Sequence, residues 1–451
     1  MNMKTVLTGV TTGVSALGGL LTWALFMGCG SSGSDAGAAP SPAPSNAPVS
    51  VESLRVLVID AIPPPGQMKA LAAATVVFDK PGGERVELKT DADGIVTIDG
   101  IDWSKGKGAI TAFAAGYIVN TGVEVDKAWI ARMASEFMPA MPGDPKRDLT
   151  WLTFPSGTTN VMLQGATTHA QGDMVTLTSS TRGGFFQGTL GSYEMNVEPD
   201  QAFTLYALDW TVPETPTVGP RGIEQTFERW LKFDHPAVTG PTTFDIDLDT
   251  GTPLATTKVK GKITITGGSD GPLGGASVGY GVVQTRNSSG STFVGAMSKI
   301  DINADGGAFD YDLEYVKPDN TVPLVTYEIR LQNRAVSRCM TFDWPADGAV
   351  VDDFLTPPVV TSSSHGLSEP YTLKGIGPDA YTRVFLSDIR GTRWIIQAPP
   401  GTKTFTPPAL DGALRDAVGR PREGFIAALG KYDAEKTYFT QFAASRPFEV
   451  K

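Results

Sequence analysis

The residues of this 451-residue chain best suited to chemistry are three histidines, two cysteines and several aspartate-rich turns. His169, His235 and His365 lie far apart, and no His-x-x-x-His or Cys-x-x-Cys pair occurs, so the ligand spacing of a zinc site is missing. Asp301-Ile302-Asn303-Ala304-Asp305-Gly306 matches the first half of the D-x-[DN]-x-[DN]-G calcium loop. Asp301, Asn303 and Asp305 would supply the oxygens, and calcium is the one ion the sequence suggests. The twelfth loop position is Asp312, shorter than the Glu that closes such sites, and both flanks alternate as strands do. The simpler reading is a β-turn whose Asp and Asn side chains bond their own backbone.

Nucleophilic chemistry finds less support. Gly267-Gly268-Ser269-Asp270-Gly271 spells G-x-S-x-G, but that elbow needs a helix after the Ser, and here Pro272 and a strand pattern follow. Ser362-Ser363-Ser364-His365 brings a base near hydroxyls in a Pro- and Ser-rich segment without rigid support. Acid pairs such as Asp245 and Asp247, or Asp352 and Asp353, need two environments that split their pKa values, which a sequence does not display. The expectation is a non-enzymatic protein with no catalytic residues. A hydrolase hidden in 148–251 or 357–451 is one rival. A carbohydrate-binding surface protein is another, because Trp210 near Pro213 and Trp344 beside Pro345 sit near apparent loop ends. Aromatics more often fill sandwich cores. A net charge of −11 with acids spread along the chain offers no basic stripe, so nucleic acid is not an expected partner.

The elements that must carry these residues are short strands. With 51 Gly and 33 Pro, breaks are frequent, and Val, Thr, Ile and Phe dominate between them. An internal repeat organises the pattern. Residues 54–100 and 258–313 share an order: an alternating strand, a small-residue strand, then a strand entering an Asp-x-Asp-Gly or Asn-x-Asp-Gly turn. Three helices are expected as interruptions. Trp129, Ile130, Met133 and Phe137 share a face after the N-cap Asp126; Ile223, Phe227, Trp230 and Leu231 share another; the third spans 413–429.

The repeat resembles the carboxypeptidase regulatory-like domain, a transthyretin-like β-sandwich. The resemblance rests on Ala73-Ala74-Thr75-Val76 and Gly275-Ala276-Ser277-Val278, on Thr90-Asp91-Ala92-Asp93-Gly94 and Asn303-Ala304-Asp305-Gly306, and on Ala114-Ala115-Gly116-Tyr117. It implies accessory β-sandwiches without protease residues. The first copy departs at Ala70 and Ala73, where the family has Pro and Gly.

At the N-terminus, Lys4 precedes an uncharged apolar run ending at Leu25-Phe26-Met27-Gly28-Cys29. This resembles the lipobox of bacterial lipoproteins, which implies cleavage before Cys29 and lipidation of its sulfur; Phe26 and Met27 depart from the usual pattern. Gly30, not Asp, follows the Cys, which by the Gram-negative sorting rule implies the outer membrane. An uncleaved transmembrane anchor and an ordinary secretory signal are the alternatives. Residues 30–50, rich in Ser, Pro and Ala, cannot bury apolar surface and are expected to be a disordered spacer. Cys339, left alone, is expected to be a buried small hydrophobe.

The expected organisation is all-β, with tandem Ig-like or transthyretin-like β-sandwiches behind a signal peptide and linker. Signal peptide 1–28 and linker 29–50 precede sandwiches at 51–145, 146–252, 253–356 and 357–451. The expected role is binding or structural, at the cell surface, with a membrane contact through the lipid and a protein or polysaccharide ligand that the sequence does not name.

Overall fold

The computed structural model describes residues 52–60, 69–133, 148–153, 161–180, 185–189, 191–200, 202–211, 218–219, 222–223, 226–266, 278–287, 298–301, 306–316, 323–331, 334–341, 343–344, 346–360, 364–389, 391–433 and 438–451. The protein is nearly all β, in several sheets. The described residues group into two compact units, one within Thr158–Thr356 and the other combining those of Leu25–Gly157 with Pro357–Lys451. Among them no helix is long and apolar enough to cross a membrane. Cys29 and the signal segment lie outside the described residues.

In the unit built from both ends of the chain, Glu52–Asp60 pairs with Ile95–Ile101 antiparallel and with Leu149–Thr153 in parallel. The pattern LRVLVID alternates only weakly because the strand is buried on both faces, from Val56 to Ile59. Leu149–Thr153, which the sequence reading assigns to the second sandwich, therefore belongs beside the first strand of the first. A second sheet runs in the order Tyr438–Ala444, Glu423–Asp433, Tyr381–Asp388, Gly391–Ala398, Val119–Val125, Gly108–Phe113, Thr75–Asp79, Arg85–Lys89. Stretches 51–145 and 357–451, read from the sequence as separate, thus share one ladder. Its junction is the parallel pair Trp394↔Val119 to Gln397↔Gly122.

The Asp-x-Asp-Gly turn of the first repeat copy folds as its residues dictate. Asp91 Oδ1 accepts from the N–H of Asp93 and of Ile95, each at 2.9 Å, and Gly94 takes φ 74°.

In the other unit, Gly191–Val197 shows strict alternation: Tyr193, Met195 and Val197 face the core, while Ser192, Glu194 and Asn196 face out. It pairs with Val161–Thr168. The companion sheet centres on Phe203–Thr211, flanked by Met174–Ser179 and Thr226–His235. Phe203, Leu205 and Ala207 enter one core, Leu208 and Trp210 the next. The second core continues through Thr256–Thr266, whose partner is Gly306–Val316. Three cross-strand ion pairs line that ladder: Lys258 with Glu314, Lys260 with Asp312, and Lys262 with Asp310.

One expected helix is corrected. The described residues of 223–231 are in strands: Thr226–His235 is one, and Trp230 and Leu231 fill cores on its opposite faces. Two adjacent large apolar residues fit a helix stripe and a doubly buried strand equally well. The expected helix over 413–429 shrinks to Gly412–Val418, since Gly419 and Pro421 end it and Glu423–Asp433 is a strand. The helix at Asp126 forms as Lys127–Arg132, with Asp126 Oδ1 accepting from Trp129 N at 2.8 Å and with Trp129, Ile130 and Met133 buried. Phe137 lies outside the described residues.

Candidate functional site

Among the described residues, a dense group of chemically capable side chains lies in the Thr158–Thr356 unit. It begins with Asp209, wholly buried at the end of a core-facing row. Its carboxylate accepts from the N–H of Gln171 at 2.7 Å, from the N–H of Gly172 at 2.9 Å, and from Arg229 Nε at 3.1 Å. The remaining nitrogens of Arg229 donate to Asp249 Oδ1 at 3.0 Å and to the His169 carbonyl at 2.5 Å. Burial works against the charge of Arg229, but the bonds and charges of Asp249 and Asp209 outweigh it and hold the guanidinium above its ordinary value. His169, in a left-handed backbone conformation of φ 57°, shares a hydrogen bond of 2.9 Å between Nδ1 and Asp247 Oδ1. Asp247 Oδ1 also accepts from Asp249 N at 3.0 Å; that bond, with the one to His169, keeps its carboxyl below the usual range.

His169, Asp247 and Asp249 bring donor atoms within 4.8 Å of one another, and they are the described residues able to hold a metal together. In this geometry their atoms serve the loop. Arg229 occupies Asp249, and Asp247 accepts from His169 and from the backbone. The sequence hides this group, since His169 follows the strand Val161–Thr168 and the two acids lie about 80 residues on, at and after Ile246–Asp247. Asp245, the neighbouring acid, accepts from Ala166 N at 2.9 Å.

The other histidines are equally engaged. His235 stacks on Phe203 at 4.8 Å and meets Phe244 edge-on at 4.5 Å. His365 stacks on Tyr371 at 3.9 Å, with Nδ1 2.9 Å from the Gly366 carbonyl and Nε2 3.2 Å from that of Pro370. Ser362 and Ser363 lie outside the described residues, as does the 267–271 turn.

Of the expected calcium ligands, Asn303 and Asp305 lie outside the described residues, and Asp301 is described only in its backbone, paired with Tyr280. Asp312, the twelfth position, sits on a strand 3.6 Å from Lys260 Nζ. Trp210 and Trp394 are buried, donating to Thr176 Oγ1 at 3.1 Å and to Thr121 Oγ1 at 2.7 Å. Neither offers the open ring face on which a sugar would stack. Cys339 is buried and forms no disulfide among the described residues.

A second charged group lies inside the same unit. Glu328 is wholly buried on Pro323–Leu331, between Arg330 beside it and Arg338 on Val336–Thr341. Burial raises its pKa, but the two guanidiniums prevail and hold it down to about 2.

No family model matches the sequence, and no curated protein does. Among solved structures, the chain is similar to the Bacillus anthracis TIE protein at 12% identity and a TM-score of 0.18, covering 67% of this chain and 50% of that one. It therefore spans half the length of that protein. A tetra-tandem repeat from the extending region of a large adhesion protein is 12% identical, with a TM-score of 0.13, 88% of this chain and 99% of that one being covered. The two B repeat units of the Staphylococcus aureus collagen-binding protein are 8% identical, with a TM-score of 0.14 and coverage of 89% and 99%. Likeness this remote adds nothing to what the strands of this chain already state.

Proposed function

We propose that this chain is a lipid-anchored module of the bacterial outer membrane, with a binding or structural role at the cell surface and no reaction of its own. One observation carries the reading: the residue types that do chemistry are built into the scaffold. His169 holds Asp247, while His235 and His365 are locked in aromatic stacks. A general base must reach a substrate proton, which the buried, stacked rings of His235 and His365 do not; His169 lies exposed, with its Nδ1 on Asp247. The stretches 51–145 and 357–451 share one ladder, which makes the two ends of the chain a single folded unit. The lipid on Cys29 and the spacer 30–50 would hold it away from the membrane, where a protein or polysaccharide could reach it.

Fractionation of a Gram-negative host making the full chain tests this. The protein should pellet with outer membranes and be digested when protease is added to intact cells, and Cys29→Ser should release it. A Cys29→Ser variant that stays in the membrane, or a wild-type chain that intact cells shield from protease, would contradict the proposal.

A further inference from the structure

In the Thr158–Thr356 unit, Thr256–Thr266 lies between two partners, Ala349–Val351 and Gly306–Val316. Among the described residues, Gly306–Val316 pairs with Thr256–Thr266 alone and so ends its sheet. Residues 310–314 make no described backbone bond beyond that ladder. One side of this segment therefore presents open N–H and C=O groups, the template on which a further strand can form.

The side chains of the segment alternate. Tyr311 and Leu313 are buried, while Asp310, Asp312 and Glu314 stand on the other face, 78%, 41% and 25% exposed. Their cations all come from the inner strand: Lys262 at 3.5 Å, Lys260 at 3.6 Å and Lys258 at 3.3 Å. Among the described residues the acids are thus flanked by positive charge on one side only. These pairs also show what kind of strand the row accepts. It carries Lys at every second position, with Val259 and Gly261 between. Tyr311 leaves the open side clear, since its ring leans over Gly261, 2.3 Å from where a Cβ would stand.

Charge makes the edge selective. A second copy laid on it antiparallel, Asp312 opposite Asp312, would set Asp310 against Glu314, and like charges directly opposite are destabilising. A strand with cations at those positions would instead extend the alternation to Lys, acid, cation. The net charge of −11 also draws a basic partner in from a distance.

We propose that residues 310–314 are a docking edge for an extended, basic segment of another protein. The segment adds to the sheet as a strand and sets a Lys or Arg opposite each acid. Main-chain bonds hold it, and the acids choose its charge. This gives the surface role proposed above a partner, and rests on that role only for the partner's access to the edge.

The test uses the purified full chain in detergent and a labelled peptide, TTKVKGKITIT, the pattern of the inner strand. It reads binding without a membrane, so its failure leaves the lipid anchor untouched. The peptide should bind, more weakly as salt rises, and should protect amides within 310–314 from exchange while 256–266 stay protected. Replacing its three Lys by Glu should abolish binding. The combined variant Asp310→Asn, Asp312→Asn, Glu314→Gln should bind it about tenfold more weakly. A peptide that does not bind, or that binds the variant equally well, would overturn the proposal. Should the variant fail to fold, two N-methylated peptides decide on the wild-type protein. Methylating one alternate set of peptide amides should block binding, and methylating the other set should not. Equal binding of the two would mean charge attraction without an added strand, and would overturn the docking edge.

Discussion

Trp394 donates its indole N–H to Thr121 Oγ1 at 2.7 Å, across 273 residues of sequence. The two strands run parallel, from Trp394↔Val119 to Gln397↔Gly122, and Trp394 is wholly buried. A parallel pair cannot be closed by a hairpin, so this ladder forms only when both ends of the chain have met. The first and last stretches are therefore expected to unfold together. Trp394→Phe should cost about 1 kcal/mol or more through the lost bond and the smaller buried ring, the Thr121 hydroxyl keeping its partner Thr111. In native-state hydrogen exchange, the amides of 119–122 and 394–397 should lose protection in step. Separate exchange of the two segments would contradict a common unit.

Asp209 holds three donors with one buried carboxylate. Asp209→Asn removes the charge facing Arg229, and roughly 2–3 kcal/mol of stability should go with it. The effect should be local as well as global. The amides of Gln171 and Gly172 should exchange faster, and the His169–Asp247 contact should loosen as a change in the His169 ring signals. Unchanged protection at 171 and 172 would show that the carboxylate does not pin that loop.

Glu328 carries a pH prediction. Its carboxyl falls from 4.5 to about 2 in the fold. Its contribution is therefore complete above about pH 4.5, shrinks as the pH drops, and is gone once the pH has fallen through about 2. Glu328→Gln leaves two guanidiniums facing a neutral amide, and breaking a buried pair in this way costs about 3–5 kcal/mol near neutrality. The gap in melting temperature between wild type and variant should narrow from pH 5 down to pH 2. A gap independent of pH would contradict the assignment of the depressed carboxyl to Glu328.

If Asp301, Asn303 and Asp305 hold calcium, the melting temperature should rise on adding calcium, and Asp305→Ala should abolish the rise. The Lys260 pairing of Asp312 leaves the twelfth position committed elsewhere. A flat response in both proteins is the outcome for a plain β-turn like that of Asp91 to Gly94.

The all-β class was legible because frequent Gly and Pro breaks and period-two strands are local properties, as in Gly191–Val197. So was the N-cap at Asp126, which needs only its own turn. What escaped were features set by partners. Trp230 and Leu231 look like a helix stripe until two cores claim them from opposite faces. Leu149–Thr153 reads as the head of a new sandwich until it pairs with Glu52–Asp60. Of the cluster of His169, Asp209, Arg229, Asp247 and Asp249, His169 and Asp247 were noticed singly, but nothing in the sequence joined them, because separate strands assemble it. Of the two tryptophans singled out for sugar stacking, Trp210 is sealed in the core, while Trp344 is partly buried and stacked on Tyr315 at 5.1 Å.

The central claim is that a lipid on Cys29 tethers a β-sandwich body to the outer membrane, and intact mass spectrometry of the membrane-fraction protein from a Gram-negative host tests it most directly. The account predicts a chain beginning at Cys29 and carrying a diacylglyceryl group and an acyl chain. An unprocessed mass beginning at Met1, or a shorter chain without lipid, would contradict it.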